Sequence, residues 1–542
     1  MAKTGYKNLL TLVASTLIIG VQGCSDGGNT SGNSTNNKGS TLAITGTVQY
    51  EDREYNQSGF TGQKNLKPVR FADVELVRNS DGTVLGSTTT NASGSFSISF
   101  SNTGAPGVYI RILSRTNDPL VNVEVAKPSG TLYGVVSNTL VESTATSFTV
   151  SLTAPMVNAS NEAIGGAFHI MDLLVSGSEF ARALTGTVPD LVKARWELGS
   201  TSGTYYNSGT DEIYILGGNG IQQGDHDEYD DSVILHEYGH HVAKHFSKDD
   251  SPGGTHFLSD NAQDIRLAWS EGWATFFGEA VLNNAVYIDT VGGDPPGNSA
   301  SVIDLETRGN GSSLIYTTNE GAVATVLWDI FDQSIDESFD AIGDKITQIW
   351  DIFDNALVTA TSVDMEDFWD GWFTRGHGLE TEMRNVTTDR QMEFTPDPSG
   401  SNSTASCSTT VTIDNSIHET LYTSTTSSDT DYFCVVLSQG TSYTLQTLNL
   451  SNGADTYLEL LDAQLNVLTS NDNGTDSTDY SQCQTTSAPG LTCPSNSSTA
   501  LASRLTFAPS STGQYVARVT RSSRAPQSAG RYGSYNFRVT TP

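Results

Sequence analysis

His-Glu-Tyr-Gly-His at residues 236–240 is the stretch that decides how this chain is interpreted. Residues four apart on an α-helix share one face, so His236 and His240 can direct imidazole nitrogens at a single ion. Glu237 points about 100° round the helix, where it can reach a water on that ion and take its proton. Glu271 further along would be the third protein ligand of a tetrahedral catalytic zinc site, whose fourth position stays open.

The flanking residues predict that these side chains lie on helices. Asp230 and Asp231 suit the start of the first helix, and Ser-Pro-Gly-Gly at residues 251–254 ends it. Apolar residues at helical spacing predict a second helix over about residues 264–283, with Glu271 near its middle. A further helical segment is predicted over residues 320–331. Two antiparallel helices can then share one ion.

These motifs resemble the gluzincins, zinc peptidases with a His-Glu-x-x-His helix and a glutamate ligand on a later helix. Glu-Gly-Trp-Ala-Thr-Phe-Phe at residues 271–277 is most similar to the fungalysin and thermolysin members, and the resemblance covers about residues 160–395. It implies an α+β zincin-like domain that hydrolyses polypeptides. By this resemblance His236, His240 and Glu271 bind zinc, and Glu237 activates the water.

One position departs from the family pattern. Those families usually place an aspartate four residues after the third ligand, where it orients a ligand histidine, and this chain has Thr275 there. Residues that support a ligand typically matter about 10- to 100-fold for metal affinity or activity. The support of the histidine is therefore an open question, with Glu279 or another carboxylate as a possible replacement.

A donor to the developing oxyanion is not decided by the sequence. Four residues are candidates for it: Tyr316, His256, Arg375 and His377. Lone histidines are usually structural or solvated, as expected also for His169, His226 and His418. His241 and His245 stand four apart but face away from the first pair by about 100°, so they are interpreted as helix-surface residues.

A strand-like run at residues 211–218 precedes the zinc helix. In gluzincins a strand in this relative position binds substrate backbone by β-augmentation, so the resemblance implies an edge strand that pairs with an extended peptide. A buried core strand is the alternative. The edge-strand interpretation favours polypeptide substrates.

The N-terminus has the pattern of an export signal. Lys3 and Lys7 precede an apolar run at residues 9–21, which is shorter than the roughly 20 residues of a membrane-spanning helix. The following Gly-Cys resembles a lipobox, which makes Cys24 the lipidated membrane anchor of a bacterial cell-surface or outer-membrane lipoprotein. A plain secretory signal cleaved near Gly23 is the alternative. Residues 24–41 are expected to be a flexible tether.

Two β-sandwiches are expected to flank the catalytic domain at residues 156–395. Residues 42–155 alternate apolar and polar side chains and resemble a carboxypeptidase-regulatory or prealbumin-like sandwich, serving as a spacer or an inhibitory prosegment. After a linker at 396–403, residues 404–542 resemble the bacterial pre-peptidase C-terminal domain, which is sometimes removed after export. Its Asp455 and Asp472 are candidates for Ca²⁺ binding.

Cysteine usage agrees with export, because four of the five cysteines lie in the last domain and suggest two disulfides. Three connectivities are possible, and the most local one is favoured: Cys407 with Cys434, and Cys483 with Cys493. The net charge of −33, from 61 acidic and 28 basic residues, disfavours nucleic acid as a partner.

The sequence as a whole predicts a monomeric, multidomain, exported zinc endopeptidase with Glu237 as its base. The main alternative is a surface-binding or adhesion lipoprotein that keeps the fold without activity. An aminopeptidase is the third hypothesis, but no clear acidic anchor for a substrate amino terminus is visible in the sequence.

Overall fold

The structure of the protein is a computed structural model. It describes residues 41–541 except for these segments: 102–106, 141–146, 158–162, 219–223, 259, 262, 294–297, 308–313, 334–338, 361, 395–408, 423–428, 453, 473–501 and 523–530. The predicted leader, lipidation site and tether therefore lie outside the described residues. Within them, no helix is both long and apolar enough to cross a membrane.

The first part of the chain is all β. Its strands are β1 (Thr41–Asn56), β2 (Gly59–Pro68), β3 (Ala72–Arg78), β4 (Val84–Thr89), β5 (Ser95–Ser101), β6 (Val108–Thr116), β7 (Val123–Ala126), β8 (Gly134–Val136) and β9 (Ser147–Ala154). One sheet contains β2, β1 and β5 in that order, with β9 beside β1. Phe96, Ile98 and Phe100 of β5 are buried between more exposed serines, as the alternation predicts.

The central part is mostly helical. Its elements are α1 (Gly165–Thr185), β10 (Val192–Arg195), β11 (Tyr205–Asn207), β12 (Glu212–Tyr214), a 3₁₀ turn (Asp227–Tyr229), α2 (Asp231–Phe246), α3 (Ile265–Leu282), β13 (Val286–Val291), β14 (Ser299–Asp304), α4 (Glu320–Phe331), α5 (Ile346–Asp351), a π turn (Ile352–Ala356), a 3₁₀ turn (Leu357–Thr359), α6 (Met365–Thr374) and α7 (Glu380–Asp389). The predicted bounds of α3 and α4 are confirmed. α2 ends at Phe246, before the predicted stop at residues 251–254.

One sheet joins these first two parts of the chain. Its strand order is β11-β12-β10-β7-β6-β3-β4, and β10 runs parallel to β7 with Val192 opposite Val123. A single hydrophobic core likewise extends from Leu42 to Phe394 and also includes Tyr532 of the last part of the chain. This sheet and this core therefore continue across the expected domain boundary at residue 155. The sequence did not reveal this, because the alternation of apolar and polar residues shows which face of a strand is buried but not which strand lies beside it.

The last part forms a separate β-sandwich. Its strands are β15 (Thr409–Thr410), β16 (Ser416–Tyr422), β17 (Thr430–Leu437), β18 (Tyr443–Ser451), β19 (Thr456–Leu461), β20 (Val467–Asn471), β21 (Arg504–Phe507), β22 (Gly513–Arg521) and β23 (Tyr532–Thr540). They make two sheets, β15-β17-β22-β19-β20 and β16-β23-β18-β21. Phe433, Leu458 and Phe537 are fully buried between them. Cys407, Cys483 and Cys493 lie outside the described residues, so the disulfide pairing stays a prediction.

Candidate metal centre

Helices α2 and α3 approach closely because small residues line their contact. A Cβ added to Gly239 would lie 2.8 Å from Cα of Ala274, and one added to Gly278 would lie 3.2 Å from the backbone nitrogen of His236. Asp264 caps the start of α3 by accepting from the Arg266 N–H. Glu271, two turns into α3, therefore faces the histidines of α2.

The structure brings together the three side chains that the motif predicts as ligands. Nε2 of His236 and Nε2 of His240 each lie 3.2 Å from Oε2 of Glu271. One donor atom from each residue falls within 4.8 Å of the other two, a set that suits zinc in both chemistry and number. Burial alone raises the pKa of Glu271, but His240 and His236 outweigh it and hold the pKa well below its usual range.

Thr275 occupies the position of the missing aspartate and contacts the expected histidine itself. Its Oγ1 lies 3.0 Å from Nδ1 of His236, the nitrogen that points away from Glu271. Nδ1 of His240 lies 3.4 Å from Oγ of Ser270, which donates in turn to Asp249. Both predicted ligand histidines thus have a hydroxyl partner. The carboxylate considered from the sequence, Glu279, is buried in the core, and this burial raises its pKa to about 8.

A backbone N–H of strand β11 holds the carboxylate of Glu237. Its Oε2 accepts a hydrogen bond of 2.6 Å from the backbone N–H of Tyr206 in β11. Its side chain lines the same cleft as the three predicted ligands, a cavity of about 700 Å³. A fixed carboxylate beside the ligand set has the position that a general base needs.

The strand at the edge of the sheet is not the one predicted at residues 211–218. Within the run 211–218, only β12 is a strand, and it lies between β10 and β11. β11 forms the edge of the sheet, and Tyr205 and Tyr206 line the cleft. β11 has only three residues, too few for a period-two pattern to reveal, although its Tyr-Tyr pair at residues 205–206 is a weak strand signal.

Among the four candidate oxyanion donors, the cleft lining includes His256. Its Nε2 lies 3.7 Å from Oε1 of Glu271, and its Nδ1 lies 2.8 Å from Oε2 of Glu320, the first residue of α4. Burial lowers the pKa of His256, but its hydrogen bond to Glu320 and the charge of Glu271 raise it to about 9. The hydrogen bond to Glu320 favours the protonated imidazole, whose Nε2–H can donate into the cleft.

The other three candidates make contacts elsewhere. Arg375 and His377 both bind Asp351, at 2.6 and 2.9 Å. Tyr316 uses its backbone N–H to bond the carbonyl of Arg390. None of the three is among the described residues that line the cleft.

An acidic group forms another part of the cleft wall. Asp225, Asp227 and Asp289 each place one carboxylate oxygen within 4.8 Å of the others. Burial raises the pKa of Asp289 to about 6, with the charge of Asp225 adding to the shift. Asp227 is buried and accepts a hydrogen bond from the Thr204 hydroxyl through one oxygen. The sequence missed this group because Asp289 is distant from the other two along the chain.

The second histidine pair departs from its interpretation as helix surface. His241 is completely buried, and His245 is largely buried. In the C-terminal sandwich, burial raises the pKa of Asp455 to about 7, and the charge of Asp472 adds to this. The two residues proposed for Ca²⁺ are therefore close enough to interact, while Ca²⁺ binding itself stays a prediction.

The comparison with protein families associates the chain with peptidases. Residues 184–389 match the model of the Mycolysin C-terminal domain, which is less than half of the chain and contains all four predicted site residues. That domain is found in peptidases. A protein of Archaeoglobus fulgidus described as uncharacterized is 31% identical over 146 residues, which cover 26% of this chain and 37% of that protein.

Two solved structures illustrate the structural neighbours. The pre-peptidase C-terminal domain of a Bacillus anthracis collagenase is 13% identical, with a TM-score of 0.16, covering 24% of this chain and 92% of that one. A surface-associated copper-binding protein of Methylomicrobium album is 12% identical, with a TM-score of 0.16, and the match covers 25% of this chain and 97% of that one.

Proposed function

We propose that this protein is a zinc-dependent endopeptidase that hydrolyses peptide bonds of extracellular proteins. The observation that carries this proposal is the convergence of His236 and His240 on Glu271 at 3.2 Å, beside a fixed Glu237 and in an open cleft. The three ligands would hold the zinc ion. When bound, zinc acts as a Lewis acid and lowers the pKa of a coordinated water toward about 7.

The residues of the chain then have separate tasks. Glu237 removes the proton of the attacking water and delivers it to the leaving amine. His256 donates a hydrogen bond to the oxyanion that forms from the substrate carbonyl, while Glu320 keeps its ring oriented and protonated. Thr275 and Ser270 hold the ligand rings. Tyr206 fixes the carboxylate of the base.

A comparison of wild type with Glu237→Gln tests this function. We expect both proteins to bind zinc, because Glu237 is not a ligand, and only the wild type to cleave an unfolded protein such as casein. Glu380→Gln is the matched control, since Glu380 forms an exposed ion pair with Arg384 on α7. Zinc binding without any wild-type cleavage would sink the enzyme hypothesis and leave the inactive surface-binding lipoprotein.

The role of His256 has its own test. His256→Gln should lower kcat about 10²- to 10³-fold with little change in KM or zinc content, because it removes one oxyanion donor. His377→Gln is the control, because that histidine also pairs with a carboxylate but outside the cleft lining. An unchanged kcat in His256→Gln would assign the donor to another group.

An aminopeptidase is a second candidate because of the acidic group in the cleft. Asp225, Asp227 and Asp289 offer converging carboxylate oxygens that would accept hydrogen bonds from a substrate ammonium. Matched peptides with free and acetylated amino termini separate the two functions. An endopeptidase cuts both peptides internally, whereas an aminopeptidase releases single residues from the free peptide alone.

The location and partners proposed for the chain rest on its sequence. The leader pattern supports export, and Cys24 supports membrane anchoring through lipid. The net charge of −33 disfavours nucleic acid as a partner. Mass spectrometry of the mature N-terminus distinguishes a lipidated Cys24 from cleavage near Gly23.

A further inference from the structure

A second group of metal-ligating side chains lies on another face of α2. Nδ1 of His241 is 2.9 Å from Oδ1 of Asp211, and Nε2 of His245 is 2.8 Å from Oδ2 of the same carboxylate. One donor atom from each residue lies within 4.8 Å of the other two. Asp211 reaches this point from the turn between β11 and β12, with its backbone at φ 59°. The three donors thus converge from two elements.

The far nitrogen of each imidazole also faces an acceptor. Nε2 of His241 lies 3.3 Å from the carbonyl oxygen of Asp190, and Nδ1 of His245 lies 3.1 Å from Oδ2 of Asp190. Histidines that bind metal almost always donate their second N–H to such a carbonyl or carboxylate, which fixes the tautomer. Asp190 provides this partner for both rings.

Neutral imidazoles cannot satisfy all of these contacts alone. A neutral ring has one N–H, so donation to Asp190 leaves the lone pair of the near nitrogen pointing at the Asp211 carboxylate. The two ring centroids are only 4.4 Å apart, so both near nitrogens converge on this one carboxylate. A metal cation between the rings and the carboxylate would accept both lone pairs and let each far N–H donate to Asp190.

We propose that Asp211, His241 and His245 bind a second divalent transition-metal ion. Two imidazoles and a carboxylate suit zinc and related metals. His245 and Asp211 are 19% and 27% exposed, which leaves access from solvent. The ammonium of Lys244, 3.7 Å from Asp211, is a partial competitor for the carboxylate, and the Tyr206 hydroxyl donates to it at 2.6 Å.

The ion would connect the sheet edge to the catalytic helix. Tyr206 donates its hydroxyl to Asp211 and its backbone N–H to Glu237. Fixing Asp211 against His241 and His245 therefore also fixes the strand that positions Glu237. The second site does not depend on the proposed catalysis, because it contains none of the residues of the first.

Metal stoichiometry in the full-length protein tests this proposal. After equilibration with zinc and removal of excess ion, elemental analysis should give two equivalents for wild type and one for either His245→Gln or His236→Gln. The double variant should bind none. His377→Gln should keep two, and it is a matched control because His377 is also 19% exposed and pairs with an aspartate.

Replacing zinc with cobalt gives a readout that does not depend on activity. The cobalt d–d bands of His236→Gln should arise from the second site and disappear on adding Asp211→Asn, with an unchanged far-UV circular dichroism spectrum. One equivalent in wild type that is lost in His236→Gln would overturn the proposal, as would two equivalents in a folded His245→Gln. One equivalent lost in His245→Gln but kept in His236→Gln would support this site and contradict the catalytic centre.

Discussion

The two β-sandwiches are attached to the helical region in different ways. The first shares a sheet and a hydrophobic core with it, and its β7 pairs directly with β10. The second has a core of its own, reaches the shared core through the Tyr532 ring, and joins α6 through polar contacts of Arg531 and the Tyr532 hydroxyl. Shared cores make two segments unfold together, whereas separate cores allow independent units. The difference predicts which of the two sandwiches the helical region needs in order to fold.

A buried histidine strengthens the first junction, which is the contact between the first sandwich and the helical region. His169 of α1 lies 2.8 Å from Asp52 of β1 and 3.0 Å from Asp231, the first residue of α2. Burial lowers the pKa of His169, but Asp52 and Asp231 outweigh this and raise it to about 9. Burial raises the pKa of Asp52, while His169 and Lys67 lower it to about 2. One imidazolium therefore joins the first sandwich to both helices.

In the second junction, which is the contact between the C-terminal sandwich and α6, an arginine forms the ion pairs. The Arg531 guanidinium lies 2.9 Å from Asp367 and 3.3 Å from Asp370 on α6. The Arg531 backbone N–H donates to Glu366 at 2.6 Å, and Tyr532 packs its ring against Phe394. Arg531 is 28% exposed, so water weakens these ion pairs more than those of His169.

Truncation should give the largest contrast between the junctions. Removing residues 1–155 takes away the strands that complete the shared sheet, so we expect the remaining chain not to fold. Removing residues 404–542 should leave the first sandwich and the helical region folded, with one thermal transition fewer than the full chain. Circular dichroism melting and limited proteolysis measure both outcomes. Cooperative melting of the chain without residues 1–155 would contradict the shared core.

His169→Gln should have the next largest effect. It takes the imidazolium from the buried Asp52, which keeps only the exposed Lys67, and from the half-buried Asp231, and we expect this to lower the free energy of unfolding by about 3 kcal/mol. The folded pKa of about 9 lies above the ordinary 6.5, so the contribution is full below pH 6.5 and is lost as the pH rises through 9. Below pH 3.8 it also falls as Asp52 becomes protonated.

Urea unfolding across pH 4–10 measures this effect. The difference in the free energy of unfolding between wild type and His169→Gln should be largest between about pH 4 and 6.5 and should disappear above pH 9. Lys67→Gln is the control for the same cluster, because Lys67 is 38% exposed and pairs with Asp52 at 2.8 Å. We expect Lys67→Gln to lower the free energy of unfolding by only about 0.5 kcal/mol. A difference independent of pH would mean that packing, and not charge, explains the role of His169.

Arg531→Gln should have the smallest effect of the three main changes. The acidic side chains of α6 would repel one another without it, and we expect a loss of about 1–2 kcal/mol in docking of the C-terminal sandwich. Small-angle X-ray scattering would show a more extended molecule, while casein cleavage should stay unchanged. Arg384→Gln, which breaks an exposed pair on α7, should leave the scattering profile as in wild type.

Local signals explain which elements the sequence predicted well. α3 and α4 lie where expected because Asp264 and Asn319 cap their starts by accepting from backbone N–H groups two and three residues later. β11 was missed because three residues carry little periodicity. The continuity of the sheet was missed because the pairing of Val192 with Val123 is a contact between distant parts of the chain.

The sequence by itself determined that His236 and His240 share one helix face with Glu237 beside them, because helical spacing is a local property. Tertiary structure alone decided that Thr275 supports His236, that His256 enters the cleft, and that the acidic group forms part of its wall. It also brought Asp211 to the second histidine pair. These contacts join residues that are distant along the chain, and only the packing of α2 against α3 and the sheet edge brings them within bonding distance.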